Sequence, residues 1–154
     1  MNFQEILAKI KEKHEVLEHK EDIGILNAWI AKDKIRGVLS YMNTELGFDL
    51  MNFMSAVDLI DSNIIEIVYR LYSNETGDAA VLRVKLERTS PEVDTVSDIY
   101  KTAESLERET AEMYGVKFTG HPDPRKLLLT DDVVNPLRKD FEHPEHNPMP
   151  KVQP

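Results

Sequence analysis

The spacing of apolar positions changes along the chain, and each change indicates a different element. Apolar residues fall mostly three or four positions apart over 3–18, which predicts an amphipathic helix. The run DIGILNAWIA (22–31) then predicts a strand, whose tryptophan is expected to fill the core. A second amphipathic stretch predicts a helix over 34–46, which Asp33 caps and Gly47 ends.

Three segments with strand character follow the second predicted helix. The near-continuous apolar run at 50–61 predicts a buried strand that leads into a turn. Segments 64–73 and 79–88 alternate between apolar and polar positions, and the loop NETGD (74–78) suits a hairpin between them. One face of this antiparallel sheet is therefore expected to be buried under helices and the other to face water.

The segment 89–115 is predicted to form a loop followed by a third helix. Thr95 and Asp98 have the spacing of a capping box, and Gly115 suits the position just past the helix end. The apolar stripe that should face the core consists of Ile99, Ala103, Leu106, Thr110 and Met113.

The chain changes character after residue 120, where the last glycine lies. Five of the eight prolines fall within 125–154, and this segment holds five Lys/Arg and five Asp/Glu, so the whole charge of −9 lies on residues 1–124. A proline-spaced segment this poor in apolar residues cannot form its own core. We therefore predict one α+β domain over residues 1–120, with a mixed or antiparallel sheet and helices packed on one face. An extended, proline-rich C-terminal docking segment follows over 121–154.

Composition excludes several classes of protein. A net charge of −9 argues against nucleic-acid binding, because phosphate contacts need a basic surface. No apolar run approaches the roughly 18 residues that span a bilayer, and the amphipathic, partly acidic N-terminus is unlike a signal peptide, so a cytoplasmic location is expected. The absence of cysteine excludes disulfides, zinc–thiolate sites and iron–sulfur ligation by this chain.

An acid/base or metal site could in principle be assembled from Glu107, Glu109, Glu112 and His121. Glu109 and Glu112 share one side of the predicted helix, whereas Glu107 points elsewhere. No second histidine stands at the helical i, i+4 spacing of a metal site, and glutamates on an exposed helix are usually solvated. A stand-alone enzyme that uses His121 with a glutamate is therefore one alternative, and a free adaptor protein is another.

The motif FEHPEH (141–146) raises a second metal hypothesis, because it places His143 and His146 beside Glu142 and Glu145. Proline in the middle of this motif holds the chain extended, so the two histidines need not converge on one ion. A tail that is docked or faces solvent is the stronger interpretation.

A binding function explains more of these residues. The prolines in GHPDP (120–124) stiffen the turn that presents His121 and Asp123. Three arginines, Arg108, Arg125 and Arg138, can form forked bonds to carboxylates or carbonyls, and Leu127, Leu128, Leu129 and Leu137 supply apolar anchors. A preordered segment of this kind loses little entropy on docking.

The stretch ERETAEMYGVKFTGHPDPRKLLL (107–129) resembles the signature of the 30-kDa subunit family of NADH:quinone oxidoreductase, which is respiratory complex I. NPLRKDF (135–141) resembles the closing motif of that family, and SAVDLID (55–61) and IVYRLYS (67–73) also fit, so the resemblance covers about 50–141. The signature residues that match are Glu107, Arg108, Glu109, Glu112, Met113, Tyr114, His121, Arg125, Leu127 and Leu128.

The resemblance implies a non-catalytic peripheral-arm subunit of a membrane-bound, ion-translocating redox complex on the cytoplasmic side of the membrane. Its expected partners are the large subunit, of the complex I or [NiFe] catalytic type, and the iron–sulfur small subunit. The iron–sulfur clusters, and Ni-Fe in hydrogenase relatives, are expected in those partners, with no cofactor in this chain. The short length suits a membrane-bound [NiFe] hydrogenase or a complex I-like oxidoreductase, and both stay open.

The predicted partner interface follows the same two motifs. Arg108 and its neighbouring glutamates are expected to fix the helix end, and the last basic and acidic residues to anchor the tail on the partner. Arg138→Ala is then expected to weaken assembly and to leave the melting temperature of the isolated domain nearly unchanged. The full set is Glu107, Arg108, Glu109, Glu112, Tyr114, Gly115, Gly120, His121, Pro122, Arg125, Leu127, Pro136, Leu137, Arg138, Lys139 and Asp140.

Overall fold

A computed structural model describes residues 1–142 of the chain. Within this range three α-helices and seven strands form, and a 3₁₀ turn, Ile60–Ser62, lies between two of the strands. In chain order the elements are α1 (Phe3–Lys13), β1 (Glu18–Asp22), β2 (Ile25–Trp29), α2 (Ile35–Thr44), β3 (Leu50–Leu59), β4 (Ile64–Tyr72), β5 (Ala79–Glu87), β6 (Glu92–Asp94), α3 (Ala103–Tyr114) and β7 (Lys117–Thr119).

The main sheet has five strands in the order β1-β2-β5-β4-β3, and β6 and β7 form a small parallel pair of their own. Neighbouring strands of the main sheet run antiparallel, except that β2 and β5 are parallel. The connection between β2 and β5 includes α2 and two strands, so it is long enough to make this parallel crossover. The predicted single α+β domain with a mixed sheet is confirmed.

The inner face of the sheet carries the alternation that the sequence predicted. Ile65, Ile67, Tyr69 and Leu71 of β4 are fully buried, and they join one apolar cluster with the inward residues of β5 and with side chains from all three helices. Burying a side chain of this size stabilises the fold by about 1.5–3 kcal/mol. The helices therefore lie on one face of the sheet, as predicted.

Part of the outer face is covered by a polar network where the pattern predicted exposed side chains. Glu66 is buried there, because the indole N–H of Trp29 donates to it at 2.9 Å and Arg83 pairs with it at 2.7 Å. The guanidinium of Arg83 also lies 5.5 Å from the ring centre of Trp29. The prediction that Trp29 fills the core is wrong, since this half-buried side chain covers a carboxylate instead.

Three local predictions about the N-terminal half need correction. Helix α1 ends at Lys13 and not near residue 18. The exposed residues of β1 had no apolar periodicity to reveal a strand, which forms only because it pairs with β2. Asp33 makes no cap for α2, which begins at Ile35 without a side-chain hydrogen bond to its first turn.

The capping box predicted for α3 is also wrong, because the helix begins at Ala103 and its N-cap residue is Thr102. Asp98 forms an ion pair with Arg36 at 2.8 Å, and the Thr95 hydroxyl donates to Glu107. Strand β3 lies at the sheet edge with alternating burial, so the near-continuous apolar run does not make a strand that is buried on both faces.

Candidate functional site

Residues 121–142, here called the strap, cross the surface of α3 after β7 ends. They contain turns and bends with no helix or strand. Within the part of the sequence that the structure describes, no helix is both long and apolar enough to cross a membrane. The strap is held to the domain mainly by charged side chains of α3 and of the sheet. The strap and α3 together carry most of the predicted site residues.

Arg108 holds the first part of the strap. Its Nε donates to the backbone carbonyl of Arg125 at 2.9 Å, and its Nη2 donates to the carbonyl of Lys126 at 3.2 Å. Its Nη1 also lies 3.6 Å from the carboxylate of Asp123. A planar guanidinium presents donors in a fixed fork, which matches two successive carbonyls better than a lysine could. Arg108 therefore contacts its own strap, and its contact with a partner stays a prediction.

Glu112 holds the next part of the strap through three backbone groups. Its carboxylate accepts the N–H groups of Leu127, Leu128 and Leu129 at 3.1, 2.8 and 3.2 Å. Burial acts to raise the pKa of Glu112, yet the three N–H bonds together lower it below its ordinary value. Successive N–H groups that converge in this way form an anion-binding nest, and here the anion is a side chain of the same molecule.

His121 and Glu107 come together, as the enzyme hypothesis requires. Their closest atoms, His121 Nε2 and Glu107 Oε2, are 3.7 Å apart. Glu107 is fully buried and accepts the N–H of Val96 at 2.7 Å, besides the hydroxyl of Thr95. Burial raises the pKa of the Glu107 carboxyl, and the hydrogen bonds oppose this effect. The expectation that this glutamate is solvated is wrong, because it lies on the side of α3 that faces the core.

The two ring nitrogens of His121 are both engaged. Nδ1 accepts the N–H of Asp123 at 3.0 Å, so Nε2 carries the proton and donates to the carbonyl of Glu104 at 2.9 Å. A cleft of about 530 Å³ adjoins this pair, and its floor includes Val116 and Phe118. A catalytic base needs a ring nitrogen within reach of a substrate proton. In the folded structure both ring nitrogens of His121 bind backbone groups instead, so the pair fixes the turn that starts the strap.

The far end of the strap is held by a different set of residues. Arg138 Nε donates to the carbonyl of Tyr114 at 2.7 Å, and the N–H of Lys139 donates to Asp58 at 2.8 Å. The guanidinium of Arg88 forms two ion pairs, one with Asp58 at 2.7 Å and one with Asp140 at 2.6 Å. The hydrogen bond from Arg88 lowers the pKa of the buried Asp58 carboxyl. Arg138 therefore binds the end of α3 in its own molecule, and the expected effect of Arg138→Ala on assembly and melting temperature stays a prediction.

Sequence reasoning gave Asp58 and Arg88 no role at the site. Asp58 lies at an inward position of β3, paired with the buried Ile65 of β4, so an acidic residue stood where the strand's alternation required an apolar one. That mismatch was the available signal for a buried ion pair. Nothing in the local pattern of Arg88 could have identified it as the partner, since the two residues are 30 positions apart.

Gly115 is required at the helix end for two reasons. Its φ of +74° is a left-handed conformation that favours glycine, and a Cβ atom there would lie 2.7–2.9 Å from the side-chain amide of Asn135 in the strap. The strap can therefore approach the end of α3 this closely only because glycine has no Cβ atom. Gly120, with a φ of +83°, makes the turn that follows β7.

The strap leaves an apolar surface facing outward. Leu127, Leu128, Val134 and Leu137 are 40%, 63%, 61% and 53% exposed. Of the other predicted interface residues, Glu109, Pro122, Arg125 and Lys139 are exposed, and Tyr114 and Pro136 are half-buried. The interface itself stays a prediction. The described residues contain no group of three His, Asp or Glu side chains that could hold a metal ion, and the proposed histidine pair at 143 and 146 lies outside the described range.

Comparison with known proteins gives the family. Residues 28–147 match the family described as the respiratory-chain NADH dehydrogenase 30 kDa subunit. The protein belongs to this family. Its resemblance to the 30-kDa subunit of complex I is thereby confirmed over more of the sequence than the motifs alone covered.

Two relatives and one solved structure show the breadth of the family. The protein is 38% identical to the C subunit of F420H2 dehydrogenase from Methanosarcina mazei, over 76% of its own length and 75% of the relative's. It is 44% identical to the C/D subunit of NADH-quinone oxidoreductase from Bacteroides thetaiotaomicron, over 54% of its own length and 16% of the relative's. One polypeptide in the structure of the membrane-bound sulfane sulfur reductase, an archaeal respiratory membrane complex, has a TM-score of 0.80 and 33% identity, over 90% of this protein and 85% of that polypeptide. These relatives are subunits of respiratory complexes.

Proposed function

We propose that this protein is a non-catalytic, peripheral subunit of a membrane-bound, ion-translocating redox complex, and that it assembles with the large subunit through the outer surface of the strap. The complex would be of the complex I-like or [NiFe]-hydrogenase type. The observation that carries the proposal is the strap itself, which polar bonds fix in place while Leu127, Leu128, Val134 and Leu137 face outward.

Preordering gives the strap a physical advantage as an interface. An apolar segment that is free in solution loses conformational entropy when it binds, whereas the bonds from Arg108, Glu112 and Arg138 order the strap before any partner arrives. Apolar side chains at the centre of an interface, with charged groups around them, match the usual composition of protein–protein contacts. The strap therefore meets the physical requirements of a docking surface.

The choice of partner is supported by the relative whose single polypeptide carries the combined name C/D. Two subunits that are joined in one polypeptide are well placed to contact each other, so a large subunit of the D type is the proposed neighbour. The iron–sulfur small subunit would lie nearby, and iron–sulfur clusters, with Ni-Fe in a hydrogenase, would be in those partners. The absence of cysteine from this protein fits that division. The proposed location is the cytoplasmic side of the membrane.

The experiment is purification of the complex from native membranes of cells that carry Leu128→Asp. We expect the wild-type protein to purify with a large redox subunit and an iron–sulfur subunit, and the variant to be depleted about tenfold or more. Its melting temperature in isolation should stay within about 2 °C of wild type, because exposed substitutions rarely change stability much. Nickel in the purified large subunit would identify the hydrogenase type.

Leu17→Asp is the matched control, since Leu17 is 56% exposed and lies before β1, outside the strap. It should leave recovery of the protein with the complex unchanged. A wild-type protein that purifies without any redox subunit would contradict the proposed function. Full retention of Leu128→Asp would contradict only the assignment of the strap as the docking surface.

A further inference from the structure

The hairpin that joins β1 to β2 has a turn that disagrees with its sequence. Asp22 pairs with Ile25, so the loop consists of Ile23 and Gly24 alone, with φ values of +51° and +75°. A two-residue hairpin turn with both φ values positive is of type I′, for which Asn-Gly is strongly preferred. Gly24 fits this turn. Ile23 does not, because a β-branched side chain crowds the backbone in the left-handed region.

The described residues offer Ile23 no contact that would offset this cost. Its side chain is 93% exposed at the tip of the hairpin, and every residue of β1 is exposed as well. An asparagine would relieve the strain and would also remove an apolar group from water. A residue that breaks a local rule without compensation inside the molecule indicates that the compensation comes from a binding partner.

The charges beside the tip indicate what the partner surface offers. Glu18 forms an ion pair with Lys85 at 3.2 Å, whereas Glu21 and Asp22 have no ion pair among residues 1–142. Two carboxylates that directly precede an exposed apolar side chain match a partner pocket with an apolar floor and lysine or arginine on the side that faces β1.

We propose that Ile23 is an anchor that inserts the tip of the β1–β2 hairpin into such a pocket on a neighbouring protein subunit. The inference rests on the proposed function in one respect only, which is that the protein works inside a complex. The contact is separate from the strap, which is bonded to Asp58 of β3, at the other edge of the sheet. Four strand spacings separate β1 from β3, a distance of about 19 Å.

The test uses Ile23→Asn, for which the proposal predicts opposite effects on the isolated protein and on the complex. The isolated variant should melt about 3 °C higher than wild type, because Asn-Gly suits the turn. Its affinity for the complex should fall about 30-fold, since burial of the isoleucine side chain is lost. A purely local role for the turn would raise the melting temperature and leave the affinity unchanged.

The measurement is a competition in the native host. Wild-type and variant proteins are expressed together, the complex is purified from solubilised membranes, and mass spectrometry compares the ratio of the two in the complex with their ratio in the unbound pool. Leu17→Asn is the control, because it removes a different exposed apolar side chain from the base of the same hairpin. It should compete equally with wild type.

Each outcome decides one question. Ile23→Asn that competes equally with wild type would overturn the inference, and so would a melting temperature that falls. Equal depletion of Leu17→Asn would overturn the assignment of the anchor to the tip. Recovery of the wild-type protein with redox subunits tests the proposed function separately, so the failure of one does not imply the failure of the other.

Discussion

Helix α3 has two different surfaces. On the side that faces the sheet, Ala103 and Thr110 are buried in the core. On another side, Arg108 and Glu112 bind the strap. The core is formed by apolar side chains that many neighbours contact at once. The strap is held in place by a small number of hydrogen bonds, most of which join a charged side chain to a backbone group. One helix therefore stabilises two regions by two different kinds of interaction.

This difference predicts how a substitution in each region should affect the stability of the protein. Apolar burial is non-directional and shared among many contacts, so removing one core side chain weakens the whole cooperative fold. A strap bond is local, and its loss leaves an unsatisfied polar group in one place. We expect core substitutions to lower global stability and strap substitutions to release a segment whose domain stays folded.

The largest expected effect belongs to the core. Leu82→Ala in β5 removes a fully buried side chain and should lower the free energy of unfolding by about 3 kcal/mol, which corresponds to a melting temperature about 10 °C lower. Thermal unfolding followed by circular dichroism measures this change. Leu128→Ala in the exposed strap is the matched control and should change the free energy of unfolding by less than about 0.5 kcal/mol. Equal losses in the two variants would remove the distinction between core and strap.

A smaller and local effect is expected from Glu112→Ala. The N–H groups of Leu127, Leu128 and Leu129 lose their acceptor, at a cost of about 2 kcal/mol. Hydrogen exchange of these three amides should accelerate about 30-fold, and trypsin should cleave faster after Arg125 or Lys126, while amides in β4 and β5 keep their protection. Glu109→Ala, on the exposed side of the same helix, should change neither rate. Exchange that accelerates equally in the sheet would show that the strap is part of the cooperative core.

The smallest expected effect is the change of folding stability with pH. The buried carboxyl of α3 and the carboxylates that hold the strap should change stability in opposite directions as pH rises. Glu107 has a raised pKa in the folded protein, so its protonated form is favoured by folding, and stability should fall as pH rises from its ordinary value of 4.5 through the raised value. Glu112 and Asp58 have lowered pKa values, so their contributions are complete above their ordinary values and are lost as pH falls through the lowered ones.

Glu107→Gln sharpens this comparison because glutamine stays neutral at every pH. Across pH 4 to pH 8 the variant should lack the contribution of Glu107 that declines with pH, so the difference in melting temperature between variant and wild type should shift by about 2 °C. Glu109→Gln provides the control, since its carboxylate is exposed. Parallel curves for Glu107→Gln and wild type would show that the buried carboxyl does not change its protonation on folding.

The elements that could be predicted are those whose own side chains decide them. The alternation in β4 and β5 predicted the inward-facing residues correctly, though not the burial of Glu66 on the outer face, and Gly115 was correctly placed at the end of α3. The errors lie where a distant residue decides the structure. Strand β1 has no pattern of its own, and Thr95 looked like a helix cap because a short spacing cannot show that its hydroxyl reaches Glu107.

For the site, the motifs identified the residues, but they could not identify what those residues contact. Arg108 and its neighbouring glutamates were expected to fix the helix end, and Arg138 to anchor the tail on a partner. In the folded structure Arg108, Glu112 and Arg138 each bind backbone groups of the same molecule, and their contacts with a partner stay a prediction. A charged side chain in a sequence indicates what it can bond to, and many surfaces satisfy that description. Only the path of the backbone after β7 brings the carbonyls and N–H groups of the strap within reach.

The amino-acid sequence by itself determined the fold class, the inward face of the central strands and the family, because periodicity and motif spacing are local properties of the polypeptide. The tertiary structure alone decided that Glu107 is buried, that Asp58 joins Arg88 to the end of the strap, and that three of the strap's four leucines remain exposed. The physical reason is that burial and ion pairing depend on which distant segments meet, and the sequence order does not record those distances.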